Sequence, residues 1–193
     1  MNVIFLDIDG VLNGGNYFDS SKERKHNFYK TNKYDKNNIE QLTEYMMIDI
    51  DIKNVEILKS IIDITNSKVV ITSSWKNLKV FRNIVNRLIN LGIPIVGQTV
   101  DSGLNRGEGI LNYIKEYNID NYIVLDDEIF KDYNDEILSR LVKTSFDEDG
   151  LDEKAKVKAI SLLNSWYMIT SKCNFKVQFL HFEIWFIMGL IVL

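Results

Sequence analysis

Two pairs of acidic residues stand where apolar segments of this sequence end. Asp7 and Asp9 follow the run NVIFL near the N-terminus, and Asp126 and Asp127 follow the run NYIVL. Acids from two segment ends would repel one another unless a cation lay between them, and Mg²⁺ prefers oxygen ligands such as carboxylates. Asp7, Asp126 and Asp127 therefore predict a site for a hard metal ion.

Asp7 and Asp9 have the spacing for covalent chemistry on a phosphate ester. A carboxylate can attack phosphorus and form an aspartyl-phosphate, while a metal ion and a nearby cation offset the charge on the transferring group. Residues two apart lie on the same side of an extended chain, so Asp9 can protonate the leaving oxygen and later activate water. Taken alone, the pair would also suit an Asx-capped turn.

The composition excludes several classes of function. Cys173 is the only cysteine and there are only two histidines, so neither an internal disulfide nor a zinc site of His and Cys is expected. The net charge of −4 argues against a basic surface for duplex DNA. The N-terminus lacks the basic region of a signal peptide, so a cytoplasmic protein is expected.

Apolar segments alternate with segments of helical periodicity. The predicted strands are residues 2–6, 68–72, 93–97, 121–128 and 141–146, and the predicted helices are 53–66, 77–92, 105–117 and 152–164. In the helix at 105–117, Asn105 and Glu108 have capping-box spacing. Apolar strands that alternate with helices predict an α/β fold with a parallel sheet covered on both faces. The chemistry of such sheets lies beyond the carboxyl ends of the strands.

Two segments fall outside this alternation: one lies inside a predicted single domain at 1–164, and the other follows it. Residues 13–50 are polar and irregular, and we interpret them as a small cap-like insertion after the first strand. Residues 165–193 form an apolar tail that ends in IWFIMGLIVL, a run too short to span a membrane. We expect an added strand or helix packed on the domain, a poorly ordered tail, or an interface with a second copy, in preference to a membrane-associated tail.

The segment SSKERKHNFYKTNKYDK inside the insertion mixes basic and aromatic residues. They are Lys22, Arg24, Lys25, Lys30 and Lys33 with Phe28, Tyr29 and Tyr34. Basic groups contact phosphates and aromatic rings stack on bases, so this segment is a candidate for substrate selection. A solvated loop is the alternative interpretation.

The motifs resemble those of the haloacid dehalogenase-like (HAD) phosphatase superfamily over residues 1–164. LDIDGVL resembles its first motif, VVITSSW its second and VLDDE its fourth. The run TSSWK, GQT, NRGEGI and YIVLDDE is most similar to the HAD domain of Swiss Army Knife RNA-repair proteins. The resemblance implies a three-layer Rossmann-like sheet whose first strand lies between the second and the fourth.

The resemblance also implies roles for residues of the first and fourth motifs. Asp7 would be the nucleophile and Asp9 the general acid/base, with the Asp9 backbone carbonyl as a metal ligand. Asp126 and Asp127 would hold Mg²⁺.

The second and third motifs leave two choices open. Thr72 would bind the phosphoryl oxygens, with Ser73 as the alternative, and both could instead cap the following helix. The third motif of the superfamily is a lone Lys or Arg, for which Arg106 is favoured and Lys76 is the alternative. Asp132 is expected on a solvated helix face rather than at the metal.

The predicted function is a magnesium-dependent phosphatase that acts through an aspartyl-phosphate. Its substrate would be a nucleotide or a nucleic-acid end, as in RNA repair. The alternatives are a small-metabolite phosphatase and a catalytically weak HAD-fold module that binds a phosphorylated partner. Asp9 argues against the binding module, which would not need an acid/base group.

Overall fold

A sheet of five parallel strands forms the centre of the computed structural model, which describes residues 1–31, 34–100 and 105–165. The strands are β1 (Asn2–Leu6), β2 (Lys68–Ile71), β3 (Ile95–Gln98), β4 (Asn121–Asp126) and β5 (Leu141–Lys143). Their order is β3–β2–β1–β4–β5, so β1 lies between β2 and β4 as predicted.

Helices connect the strands and cover the sheet. They are α1 (Gly15–Thr31), α2 (Ile39–Met47), α3 (Ile52–Thr65), α4 (Phe81–Asn90), α5 (Arg106–Tyr117), α6 (Asp135–Arg140) and α7 (153–165). Local signals fix their ends: α3 begins after Asp51, whose side chain accepts a hydrogen bond from the Lys53 N–H, and stops at Asn66 in the left-handed conformation.

The pleat of β1 divides the core into two layers. Ile4 and Leu6 face a cluster that includes apolar side chains of α3, α4 and α7. Val3 and Phe5 face the opposite cluster, which includes α5 and α6. Every residue of β1 is buried because both faces of the central strand are covered. The three-layer α/β fold predicted from the alternation of strands and helices is confirmed.

The polar segment at 13–50 was expected to be irregular, but it contains α1 and α2. Its sequence hides this because α1 is polar on nearly all sides and buries only Ser21. Both polar and aromatic contacts hold the helix. The Ser21 hydroxyl donates to Asp49, and Lys25 forms an ion pair with the same buried carboxylate. The Phe18 ring also packs edge-on against the Phe146 ring. A cap-like insertion with a domain boundary at 164 stays a prediction.

The apolar tail lies almost wholly beyond the described residues, so the expectations about it are untested. Within residues 1–31, 34–100 and 105–165, none of the helices has the length and apolar content needed to span a bilayer.

Candidate active site

The hydrogen bonds of the sheet bring the predicted chemical groups to one edge. The Thr72 N–H donates to the Leu6 carbonyl, and the Asp7 N–H donates to the Leu125 carbonyl. The residues that follow β1 and β2 and the last residue of β4 therefore stand side by side. Asp7, Thr72 and Asp126 meet at the carboxyl edge because parallel strands end on the same side.

Arg106 bridges the acids of the two central strands. Its Nη1 lies 2.6 Å from Asp7 Oδ2 and 2.6 Å from Asp126 Oδ2. Burial lowers the pKa of Arg106, but the charges of Asp7 and Asp126 outweigh it and raise the pKa above its usual range. The Phe130 ring lies 4.2 Å from the guanidinium carbon and supports its plane. A charged guanidinium is thus fixed against the predicted nucleophile.

The start of α5 places Arg106, though not through the predicted capping box. Asn105 precedes the helix, but its side chain makes no capping hydrogen bond and donates to the Glu108 carboxylate instead. The Glu108 N–H donates to Asp132, which lies in the turn before α6 rather than on a helix face. Gly107 allows that turn to approach α5 closely, since a Cβ at this position would lie only 2.6 Å from the Asp132 carbonyl oxygen. The predicted capping box was wrong because Asp132, from a distant segment, accepts the hydrogen bond of the Glu108 N–H. The predicted helix-face position of Asp132 was also wrong, because this residue lies in a turn.

Asp126 is wholly buried and held by several donors. Besides Arg106, its Oδ2 accepts from the Tyr133 hydroxyl at 2.9 Å, and its Oδ1 accepts from the Glu128 N–H at 3.0 Å. Burial and then the charge of Asp7 raise the pKa of Asp126, against the opposing effect of Arg106. The protein therefore holds a carboxylate where its charge is costly without a further cation.

Asp127 completes a group of three carboxylates with Asp7 and Asp126. One oxygen from each lies within 4.8 Å of the others. Burial, followed by the charges of Asp7 and Asp126, raises the pKa of Asp127 to about 6. These donors fit a hard divalent cation such as Mg²⁺, because all three are carboxylate oxygens and their mutual repulsion would be relieved by a positive ion.

Gly10 makes room for this group. Its φ of +66° disfavours a side chain, and a Cβ there would overlap the carboxylate of Asp127. Its carbonyl accepts a hydrogen bond from the Thr144 hydroxyl at 2.6 Å, which fixes the turn after β1 to the end of β5. The glycine of the first motif thus brings the β1 and β4 acids together.

Asp9 is oriented by two side chains that do not belong to the group of three carboxylates. Its Oδ2 accepts from the Trp75 Nε1–H at 2.8 Å, and its Oδ1 accepts from the Asn13 Nδ2–H at 3.1 Å. The Asn13 Oδ1 accepts from the Gly10 N–H, so the amide is held as well. Asp9 therefore lies in the turn that follows Asp7, with both carboxylate oxygens in defined hydrogen bonds.

Thr72 and Ser73 differ in how their hydroxyls are used. Ser73 caps the short 3-10 helix Ser74–Asn77, and its Oγ accepts from the Trp75 N–H at 3.3 Å. The Thr72 hydroxyl is buried and has no hydrogen-bond partner among the described residues. A buried orphan hydroxyl at this edge needs an explanation, and a phosphoryl oxygen would be a suitable partner.

Lys76 lies behind the second motif and contacts neither strand-end acid pair in the described hydrogen bonds. Its Nζ is 3.4 Å from both the Thr72 carbonyl and the Thr99 hydroxyl. Of the two candidates for the third-motif cation, Arg106 is the one that touches Asp7.

The comparison with family models gives one match that covers most of the chain. It is the model described as the HAD domain in Swiss Army Knife RNA repair proteins, and it matches residues 3–155. The chain belongs to this family. Comparisons with curated proteins and with solved structures give no match.

Membership of this HAD family indicates a hydrolase, and specifically a HAD-type phosphatase. The acids of both pairs, Thr72 and Arg106 lie inside the matched range. Several groups that hold these residues were missed from the sequence. They are Asn13, Trp75, Phe130, Tyr133 and Thr144. Trp75 alone had a signal, since it follows Thr72 by three residues within the quoted motif.

Proposed function

We propose that this HAD domain is a magnesium-dependent phosphomonoesterase that acts through an aspartyl-phosphate on Asp7. The observation that supports this most directly is the convergence of Asp7, Asp126 and Asp127 within 4.8 Å. Arg106 lies against Asp7, where it would also meet the phosphoryl oxygens. A purely structural ion-pair network would not need three carboxylates for one guanidinium.

In the first step, a carboxylate oxygen of Asp7 bonds to phosphorus while the ester P–O bond breaks. The bonding electrons stay on the leaving oxygen, which takes a proton from Asp9. Mg²⁺, held by Asp7, Asp126, Asp127 and the Asp9 carbonyl, would neutralise charge on the transferring group. Arg106 and the Thr72 hydroxyl would bind the phosphoryl oxygens.

In the second step, the Asp9 carboxylate removes a proton from water. The water oxygen bonds to phosphorus, and the bond between phosphorus and Asp7 breaks, with its electrons returning to the Asp7 carboxylate. Inorganic phosphate leaves and Asp9 is protonated again. The overall reaction consumes one ester and one water and yields an alcohol and phosphate.

Turnover of p-nitrophenyl phosphate, with and without Mg²⁺, tests this reaction. We expect magnesium-dependent release of phosphate by the wild type and none by Asp7→Asn. The matched control is Asp63→Asn, which makes the same change on the exposed side of α3. A wild type that releases no phosphate from any ester of a broad panel would refute the proposal.

For the substrate, we propose a nucleotide or a phosphorylated nucleic-acid end. The family description, which concerns RNA repair, supports this class. So does α1, which begins six residues after Asp9 and carries several exposed basic residues. Lys22 to Lys30 extend about 10 to 22 Å along the helix from Gly15, a length that a few nucleotides cover.

The basic residues of α1 are not equivalent. Lys25 is engaged with the buried Asp49 carboxylate and lies 4.5 Å from the centre of the Tyr45 ring, so it stabilises the helix pair. Arg24 stacks on Tyr17, and Lys22 forms a solvent-exposed ion pair with Asp19. Lys22, Arg24 and Lys30 are all exposed. Lys33 lies outside the described residues. Lys22, Arg24 and Lys30 are the cations we propose for contact with phosphates.

A substrate panel separates this class from small metabolites. It contains mononucleotides, oligonucleotides phosphorylated at the 3′ or 5′ end, and sugar phosphates. We expect the highest kcat/KM with a nucleotide or an oligonucleotide end. Faster turnover of a sugar phosphate would overturn the substrate proposal while leaving the phosphatase reaction intact.

A further inference from the structure

The acid/base residue has a neighbour that the reaction above does not use. We propose that Trp75 is a positioning residue for Asp9, and that its indole N–H holds the carboxylate in the orientation for proton transfer to the leaving oxygen. This inference rests on the proposed function, because it concerns the residue that would protonate the leaving group.

The hydrogen bonds around Asp9 leave it one orientation. The Trp75 Nε1 lies 2.8 Å from Oδ2, and the Asn13 Nδ2 lies 3.1 Å from Oδ1. The carboxylate is therefore gripped at both oxygens from two different chain segments. Rotation about its side-chain bonds would break both contacts.

The indole itself is rigidly held. Only 6% of Trp75 is exposed, and the ring belongs to the larger apolar cluster of the core. Its backbone N–H donates to the Ser73 hydroxyl, and its carbonyl accepts from the Leu78 N–H at 2.9 Å. A fixed donor is what an orienting role requires, since a mobile one would follow the carboxylate instead of directing it.

The chemistry of the two donors suits orientation without proton exchange. An indole nitrogen only donates, and the Asn13 amide nitrogen donates as well, so neither can take the proton from Asp9. Each carboxylate oxygen keeps further lone-pair capacity beyond its single donor. A proton on Asp9 would therefore be transferred to the substrate and not to either of these neighbours.

The position of Trp75 in the chain links this role to phosphate binding. Thr72, the proposed phosphoryl ligand, directly precedes Ser73, which caps the turn that carries the indole. The same short segment would therefore contact the phosphoryl group and orient the acid that completes its transfer.

The test compares two esters that differ in their leaving groups. The p-nitrophenolate ion leaves without protonation, whereas the alkoxide of glycerol 2-phosphate needs a proton. Because kcat/KM reports the steps up to formation of the aspartyl-phosphate, it isolates the acid role of Asp9. We expect Trp75→Phe to lower kcat/KM for glycerol 2-phosphate about 10-fold or more and that for p-nitrophenyl phosphate less than about 3-fold.

Three further variants calibrate this result. Asp9→Asn should show the same selectivity with a larger loss. Trp75→His retains an N–H at the equivalent ring position and should recover part of the glycerol 2-phosphate activity. Tyr122→Phe is the matched control, since it also removes a buried aromatic donor to a carboxylate, here Glu136, at the opposite end of β4. We expect that control to affect the two esters equally.

A spectroscopic measurement tests the hydrogen bond directly. The indole ¹H–¹⁵N signal of Trp75, assigned by its loss in Trp75→Phe, should move in Asp9→Asn because an amide is a weaker acceptor than a carboxylate. An unmoved signal, or equal losses on both esters in Trp75→Phe with circular dichroism showing native fold, would overturn the inference. A wild type inactive on both esters would overturn the proposed function itself.

Discussion

The central strand β1 and the helix α1 that follows it differ in burial and in the contacts that hold them. All five residues of β1 are buried, and its end carries Asp7 among groups from three other elements. The 17 residues of α1 bury only Ser21. One region is fixed by close packing on two faces, whereas the other is held by polar contacts to Asp49 and by ring contacts such as that of Phe18 with Phe146, and most of its residues are exposed.

This contrast separates the parts of the proposed function. A change at the strand ends alters groups that contact one another within hydrogen-bond distance, so it should act on the chemical step. A change on the exposed side of α1 leaves those groups in place and should act only on the binding of substrates that reach it. Substitutions at the strand ends and then on α1 test that separation.

The largest losses of activity are expected from substitutions of the strand-end acids. Asp7→Asn and Asp126→Asn should differ in how far added Mg²⁺ recovers that activity. Asp7→Asn removes the proposed nucleophile, and we expect a loss of phosphatase activity of about 1,000-fold or more that added Mg²⁺ does not recover. Asp126→Asn removes a proposed metal ligand, and we expect a loss of about 100-fold that millimolar Mg²⁺ partly recovers. Magnesium titrations of phosphate release measure both; equal recovery would contradict the division of roles.

Gly10→Ala should damage the site and the fold together. The substitution strains a backbone with φ of +66° and crowds the Asp127 carboxylate. We expect a loss of about 1 to 3 kcal/mol in the free energy of unfolding and at least a 10-fold loss of turnover.

The matched control for Gly10 is Gly92→Ala, which follows α4. Gly92 also has a positive φ, of +96°, but its nearest neighbour is the flexible Lys59 side chain. It should lose stability and keep turnover. If Gly10→Ala retained wild-type turnover, the glycine would not be what brings the two acid pairs together.

The raised pKa of Asp127, about 6, predicts a pH-dependent stability. The folded protein holds this proton more tightly than the unfolded chain does, so its contribution favours folding at low pH and is lost as pH rises through 6. In metal-free protein, the stability advantage of Asp127→Asn over wild type should grow by on the order of 1 kcal/mol between pH 4.5 and 7.5, after allowance for the partial exposure of the side chain.

Urea unfolding at the two pH values, in the presence of a chelator, measures this advantage. Added Mg²⁺ at pH 7.5 should raise the stability of the wild type more than that of Asp127→Asn. If the free energies of unfolding of wild type and Asp127→Asn differed by the same amount at both pH values, the pKa of Asp127 would not be raised in the folded protein.

The smallest effect is expected on α1. The double substitution Lys22→Gln and Lys30→Gln should raise KM about 2- to 5-fold for an oligonucleotide end, because two cations near the substrate phosphates are lost. It should leave KM for p-nitrophenyl phosphate unchanged. The effect should fade at high salt, and equal changes for both substrates would place these cations outside substrate selection.

The sequence predicted the sheet well because buried parallel strands are apolar throughout and end in abrupt polar residues. The β1 and β4 segments illustrate this, and their acids were placed at one edge by the topology rule alone. It predicted α1 poorly because the inward face of that helix mixes Phe18 and Phe28 with polar residues such as Ser21, so its apolar periodicity is weak. The capping of α5 failed for another reason: Asp132, 24 residues from Glu108, took the place of Asn105.

The structure also distinguishes paired candidates that the sequence leaves alike. Thr72 and Ser73 are neighbours of similar chemistry, and only the hydrogen bonds show that the Ser73 hydroxyl is engaged with the Trp75 N–H while that of Thr72 is not. Arg106 and Lys76 differ likewise in what they reach, since only Arg106 is within 2.6 Å of Asp7.

The sequence by itself determined the fold class, the motif order and the identity of the acids, because these depend on local periodicity and on residue type. The tertiary structure decided which donor faces which acid: Arg106 and Tyr133 on Asp126, Trp75 and Asn13 on Asp9. Most of these partners lie on other elements, and their distances depend on how the strands and helices pack. The local sequence pattern does not report that packing. The contact between Trp75 and Asp9 was therefore found only in the structure, where the turn after β1 and the turn after β2 are adjacent.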